Sequence, residues 1–161
     1  MTLAYVGLGS NLDDPQQQVI CALAALNELP STRLSRRSSL YLSAPWGLVD
    51  QPNFINAVAE VKTELDAASL LAQLLELEIR LGHRRDGPRW GPRRIDLDLL
   101  VHGDEATSSP GLRLPHPRIG ERAFVLMPLA ELAPDLDLAG IGVITERLRH
   151  LDTSLCTRID R

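Results

Sequence analysis

Asp96 and Asp98 are the residues most able to do chemistry. They stand two apart, between Ile95, Leu97 and Leu99. On a strand, that spacing turns both carboxylates to one face and the aliphatic residues to the other. Two carboxylates on one pleat repel each other, and a hard cation relieves the repulsion. Magnesium suits such a pair, because it takes one or two carboxylates and completes its shell with substrate phosphates. Alone, Asp-Leu-Asp also reads as the solvated face of an amphipathic strand.

The flanking residues favour the metal reading. Between Arg80 and Arg94 there are six arginines against one acid, Asp86, in a chain of net charge −4. Arg85, Arg89 and Arg93 are candidate phosphate clamps, since a planar guanidinium grips phosphate in bidentate fashion. Gly87, Pro88, Gly91 and Pro92 make the run a loop longer than a simple connection requires, and such loops are often lids. Trp90 lies inside it and either caps the core or covers a nucleotide. A run of charges is also, commonly, just a solvated surface.

Other candidates are weaker one by one. Glu78 shares a helical face with Leu71, Leu74 and Leu75, one turn before Gly82. It is either a helix-end carboxylate or a nucleotide contact. Phe54 and Asn56 are two apart and share a strand face, a pairing that can stack on a flat heterocycle and hydrogen-bond its edge. Core packing explains Phe54 equally well. His116 is stiffened by Pro115 and Pro117 and followed by Arg118 and Arg122, so it is a candidate phosphate contact. Gly7-Leu8-Gly9-Ser10-Asn11 lacks the lysine of a P-loop and the third glycine of a dinucleotide site, and reads as a strand exit.

The elements that must position these groups are legible in outline. A buried strand over Leu3–Leu8 is followed by a helix from Asp14 to about Leu26, with Asp14 as cap and Pro15 at its first turn. A strand is expected over Thr32–Leu42 and another over Phe54–Thr63, where inward and outward residues alternate. Asp66 caps a second helix that ends at Gly82. A strand over Arg93–Val101, a loop to Pro117, a helix over Ala123–Leu132 and a last helix over Ile144–Leu151 complete the chain. The order is that of an α+β, ferredoxin-like βαββαβ core: an antiparallel sheet with two helices on one face and an extra C-terminal helical segment. Residues 1–161 read as a single domain.

Composition narrows the classes. The acidic balance argues against a general nucleic-acid binder. No apolar run approaches a membrane span and no secretory leader is visible, so the reducing cytoplasm is the expected location. Cys21 and Cys156 form neither a disulfide framework nor a metal motif, and Cys21 is expected in the core of the first helix.

The run Arg89-Trp90-Gly91-Pro92-Arg93-Arg94-Ile95-Asp96-Leu97-Asp98-Leu99-Leu100 resembles the signature of the 6-hydroxymethyl-7,8-dihydropterin pyrophosphokinase family. Gly9-Ser10-Asn11-Leu12, Gln51-Pro52-Asn53-Phe54-Ile55-Asn56, Pro115-His116 and Arg122-Ala123-Phe124 match further segments in order. The resemblance implies transfer of pyrophosphate from ATP to the hydroxymethyl group of a reduced pterin, with AMP as the second product. It implies two magnesium ions on Asp96 and Asp98. The pterin would sit between Phe54 and Phe124, with Asn56 and backbone groups at Ser43, Ala44 and Trp46 along its edge. Glu78, Arg85, Arg89, Trp90, Arg93, His116 and Arg122 would surround ATP, with catalytic roles for Arg85 and Arg93. In place of the family's usual Gly-Arg-x-Arg the chain has Gly82-His83-Arg84-Arg85, so His83 or Arg84 stands for the first loop arginine. The expected partners are ATP and the pterin, with no nucleic acid and no membrane, acting on a monomer.

Two other classes compete. One is a non-enzymatic ferredoxin-like module that binds RNA or a regulatory nucleotide. The other is a different magnesium-dependent transferase that uses Asp96 and Asp98 but not Phe54, Asn56 and Phe124.

Overall fold

The computed structural model describes residues 1–45, 50–82 and 94–160. The chain runs β1 (Thr2–Ser10), α1 (Pro15–Leu26), β2 (Thr32–Arg37), β3 (Leu40–Ser43), β4 (Phe54–Thr63), α2 (Ala67–Arg80) and β5 (Asp96–His102). It continues through a short hairpin, β6 (Thr107–Ser109) and β7 (Leu112–Leu114), to α3 (Ala123–Leu132). A small pair, β8 (Asp137–Leu138) and β9 (Gly142–Val143), leads to α4 (Ile144–Leu148) and β10 (Cys156–Asp160). The main sheet has the order β10-β3-β4-β1-β5, with β2 also on β4, and these pairs are antiparallel.

Strand alternation sorts the side chains into two cores. Val6 and Leu8 of β1, Ala59 of β4 and Leu97 and Leu99 of β5 pack against Leu23 and Leu26 of α1 and Leu70, Leu74 and Leu77 of α2. The alternate residues Tyr5, Val58 and Leu100 are also apolar, so the second face needs cover too. Leu126 and Leu129 of α3 and Ile144 of α4 supply it. The expected pair of helices on one face is therefore half the architecture: α3 and α4 cover the other face, but only part of it. The C-terminal segment is not wholly helical either, since β10 returns to the sheet edge beside β3.

Polar contacts pin α3 at its C-terminal end. Arg36 donates to Glu60 Oε2 at 2.8 Å and to the Leu132 carbonyl at 2.7 Å, and Tyr5 donates to the same Glu60 oxygen at 2.8 Å. Glu60 is 5% exposed. The Arg36 guanidinium, helped by the Tyr5 hydroxyl, holds its carboxyl below the ordinary range. Glu131 accepts from the Ser39 amide at 2.9 Å and from the Tyr41 hydroxyl at 2.9 Å.

Local departures from expectation have physical causes. The single strand expected over Thr32–Leu42 is two, because Ser38 takes both backbone groups of Val58: its N–H donates to Val58 O and its Oγ accepts from Val58 N. The register on β4 slips there, as at a bulge. Asp14 has φ 62° and forms no side-chain cap, whereas Asp66 accepts from Ser69 N at 2.8 Å. Cys21 is exposed, because the α1 period turns Val19, Ala22, Leu23 and Leu26 inward instead. Gly82 takes φ +95° after α2, and the Arg94 side chain crosses where its Cβ would be.

Candidate active site

The site lies on the part of the second sheet face that α3 leaves open. β1 is the central strand there. Gly9 pairs with Asn56 on one side and Asp96 on the other, and Gly7 pairs with Val58 and Asp98. Paired residues share a face, so Asn56, Asp96 and Asp98 project together over two glycines. With no side chains at Gly7 and Gly9, the floor between the carboxylates and the amide is sunken. These glycines are part of β1 and line the cleft, rather than forming a strand exit.

The cleft has a volume of about 520 Å³. Ser43, Ala44, Phe54 and Asn56 border one side, Asp96 and Asp98 the other, with His116, Arg122 and Phe124 completing the wall. A second cleft of about 380 Å³ shares Asp96, Asp98, Arg113, His116 and Pro117. It adds Leu71, Leu75 and Glu78 of α2. β5 ends the sheet, so its carboxylates stand at the boundary between the two clefts.

The Phe54 side of the first cleft is tightly tied. Ser43 Oγ donates to Asn56 Oδ1 at 2.5 Å. Asn11 Nδ2 donates to Gln51 Oε1 at 2.9 Å and to Pro52 O at 3.0 Å, which fastens the approach to Phe54 onto the end of β1. From the other edge, Leu155 O accepts from Ala44 N at 3.1 Å, just before Cys156 pairs with Ser43.

On the second cleft, Glu78 is 4% exposed, so it is not a solvated helix end. It accepts from Leu97 N at 2.8 Å. Burial pushes its carboxyl up to about 8, and Asp96 and Asp98 add to the rise. His116 is fixed by its N–H to Leu100 O at 2.8 Å and accepts at Nδ1 from Arg118 N at 3.2 Å. Burial, with Arg122 adding, pulls its pKa down to about 4. At neutral pH the imidazole is therefore uncharged, with its proton on Nε2. Arg122 is buried, its guanidinium 5.5 Å from the Phe124 ring centre. Burial lowers its pKa and Asp98 opposes the shift, yet arginine stays charged.

Among the described residues no group of three or more His, Cys, Asp or Glu forms a protein-only metal cage. The donor set suits a different kind of site. Asp96 and Asp98 offer hard oxygen ligands beside a third, buried carboxyl, and the repulsion they add to the effect of burial at Glu78 is of the kind a cation relieves. A magnesium ion would draw its remaining ligands from substrate phosphates and water. Trp46, His83, Arg84, Arg85, Arg89, Trp90 and Arg93 lie outside the described residues. Gly7, Gly9, Arg113 and Pro117 line the clefts without having been marked by sequence spacing.

Fold and site together define an α+β enzyme with two adjoining small-molecule clefts and a carboxylate pair between them. The chain belongs to the 7,8-dihydro-6-hydroxymethylpterin-pyrophosphokinase (HPPK) family, whose profile its residues 5–134 match. It is 50% identical over 134 residues to a Pseudomonas aeruginosa protein named 2-amino-4-hydroxy-6-hydroxymethyldihydropteridine pyrophosphokinase, covering 83% of this chain and 82% of the relative. It is 44% identical to the protein of the same name from Methylorubrum extorquens, over 99% of this chain and 100% of that one. Among solved structures, a substrate complex of HPPK-DHPS matches with TM-score 0.74 at 12% identity, covering 92% of this chain. The Plasmodium falciparum HPPK-DHPS bound to pteroate matches with TM-score 0.74 at 14% identity, covering 92% of this chain. At such identities the likeness is one of fold. The chain spans less than half of those longer proteins, 43% and 42%. Among the described residues no helix is long and apolar enough to cross a membrane.

Proposed function

We propose that this pyrophosphokinase moves the β,γ-pyrophosphate of ATP to the hydroxymethyl group of 6-hydroxymethyl-7,8-dihydropterin, releasing AMP, in folate biosynthesis. One observation carries the division of labour: Asp96 and Asp98 stand where an aromatic, amide-lined cleft meets a second cleft that reaches α2. The first cleft holds the pterin. Phe54 and Phe124 stack on its rings, and Asn56, oriented by Ser43, hydrogen-bonds its edge together with backbone groups at Ala44 and Trp46. The second cleft takes ATP, with Glu78 at its inner wall.

Two magnesium ions, held by Asp96 and Asp98 and the phosphates, would neutralise charge on the polyphosphate. The protein's own task is alignment. His116 donates from Nε2 to a phosphate oxygen without adding charge, and Arg122 supplies a positive charge from a buried position. Arg85, Arg89, Arg93 and Trp90, with His83 or Arg84, bind the nucleotide. The pterin hydroxyl attacks the β-phosphorus in line, the bond to the α-phosphate oxygen breaks, and AMP departs. No protein nucleophile is needed, because positioning and charge neutralisation supply most of the catalysis. The whole chain acts as one domain and as a monomer in the cytoplasm. The pairing of β10 with β3 supports the one-domain reading.

Two variants test these roles. Asp96→Ala is expected to reduce turnover by about 100-fold or more while circular dichroism stays unchanged. Phe54→Ala is expected to weaken binding of a pterin analogue and leave magnesium–ATP binding intact. Retained activity in the first, or unchanged pterin affinity in the second, would remove the respective assignment.

A further inference from the structure

Arg113 is the one arginine among the described residues that lines both clefts. It lies on β7, between Leu112 and Leu114. Leu114 is buried in the core beneath the sheet and Leu112 packs against that core, so strand alternation turns Arg113 the other way. Its cross-strand neighbour is the uncharged Ser108. Its guanidinium forms no hydrogen bond or ion pair with another described residue. The carboxylates that border the same clefts, Asp96 and Asp98, leave it unengaged. An exposed guanidinium without an internal partner loses little on meeting a polyanion, and its planar fork can bind two phosphate oxygens at once.

We propose that Arg113 holds the transferred pyrophosphoryl group on both sides of the reaction, as part of ATP and as part of the pterin diphosphate. Its place in both clefts, beside the carboxylate pair, lets one side chain follow the group as it crosses. This rests on the reaction assigned above. Arg113 is thus a binding residue contributed by the β6–β7 hairpin, in addition to the arginines between residues 83 and 93.

The test uses Arg113→Ala and Arg113→Lys in the full chain. Calorimetric titration with magnesium and α,β-methylene-ATP, then with the pterin diphosphate, and then with an unphosphorylated pterin analogue separates the contacts. The expected result is an affinity loss of about tenfold for both phosphorylated ligands in Arg113→Ala. Arg113→Lys should recover part of it, and the unphosphorylated analogue should bind unchanged. Equal affinities in wild type and Arg113→Ala would make Arg113 a surface cation only and overturn the proposal. A loss confined to the ATP analogue would overturn the two-sided contact. If wild type forms no AMP, the assigned reaction fails, and the ATP-analogue titration still reads Arg113.

Discussion

Gly9 and Asn56 face each other across the β1–β4 pair, and a Cβ placed on Gly9 would lie 2.9 Å from Nδ2 of Asn56. The same Cβ would lie 3.9 Å from Phe54. The smallest side chain is therefore too large for this position unless Asn56 moves, and Asn56 is also held by Ser43. Gly9→Ala is expected to raise the KM for the pterin about tenfold with little change in the KM for ATP. Steady-state kinetics with each substrate varied separately checks this. An equal loss for both substrates would mean that the substitution disturbs the whole sheet instead.

Glu60 gathers Arg36 and Tyr5 beneath the end of α3. Glu60→Gln leaves both partners poorly satisfied and is expected to cost about 2–3 kcal/mol, below the range for a fully buried pair because Arg36 is half exposed. The folded-state pKa of Glu60 is depressed. Its contribution is thus fully present above the ordinary carboxylate value of 4.5 and is lost as the pH falls through the lower folded value. Urea unfolding of both proteins should show a gap in midpoint at pH 7 that narrows as the pH falls below the ordinary 4.5 and through the lower folded value. A gap independent of pH would assign the effect to packing.

His116 has the opposite charge type and the same sign of slope. Its folded pKa, about 4, lies below the ordinary 6.5, so the unfolded chain takes up the proton first. Its contribution to stability is present above pH 6.5 and is lost as the pH falls toward about 4. In the absence of nucleotide, His116→Gln should flatten the pH dependence of the urea midpoint in that interval. Identical slopes for wild type and variant would contradict a half-buried, neutral imidazole.

What could be read from the sequence was whatever depends on local period. β4 alternates visibly from Phe54 to Thr63, Asp66 caps α2, and Asp96 and Asp98 share a face because they are two apart. What could not be read depends on pairing. Gly7 and Gly9 become part of the site only because β1 sits between β4 and β5 in one register. Arg113 joins it only because the β6–β7 hairpin folds back toward β5, and nothing local to Leu112-Arg113-Leu114 marks it. The Ser38 bulge, the exposure of Cys21 and the return of β10 to β3 are likewise decided by partners distant in sequence. The signal for Gly7 and Gly9 was present as two glycines at strand spacing, the same spacing as Asp96 and Asp98, and it acquires meaning once the two pairs are set side by side.

The most direct test of the central claim is phosphorus NMR of the reaction itself. Incubated with magnesium, ATP and the reduced pterin, the chain is expected to yield AMP and the two coupled signals of a pterin diphosphate, with no ADP. Omitting the pterin should abolish AMP formation. ADP as the product, or AMP released at the same rate without the pterin, would contradict pyrophosphate transfer at this site.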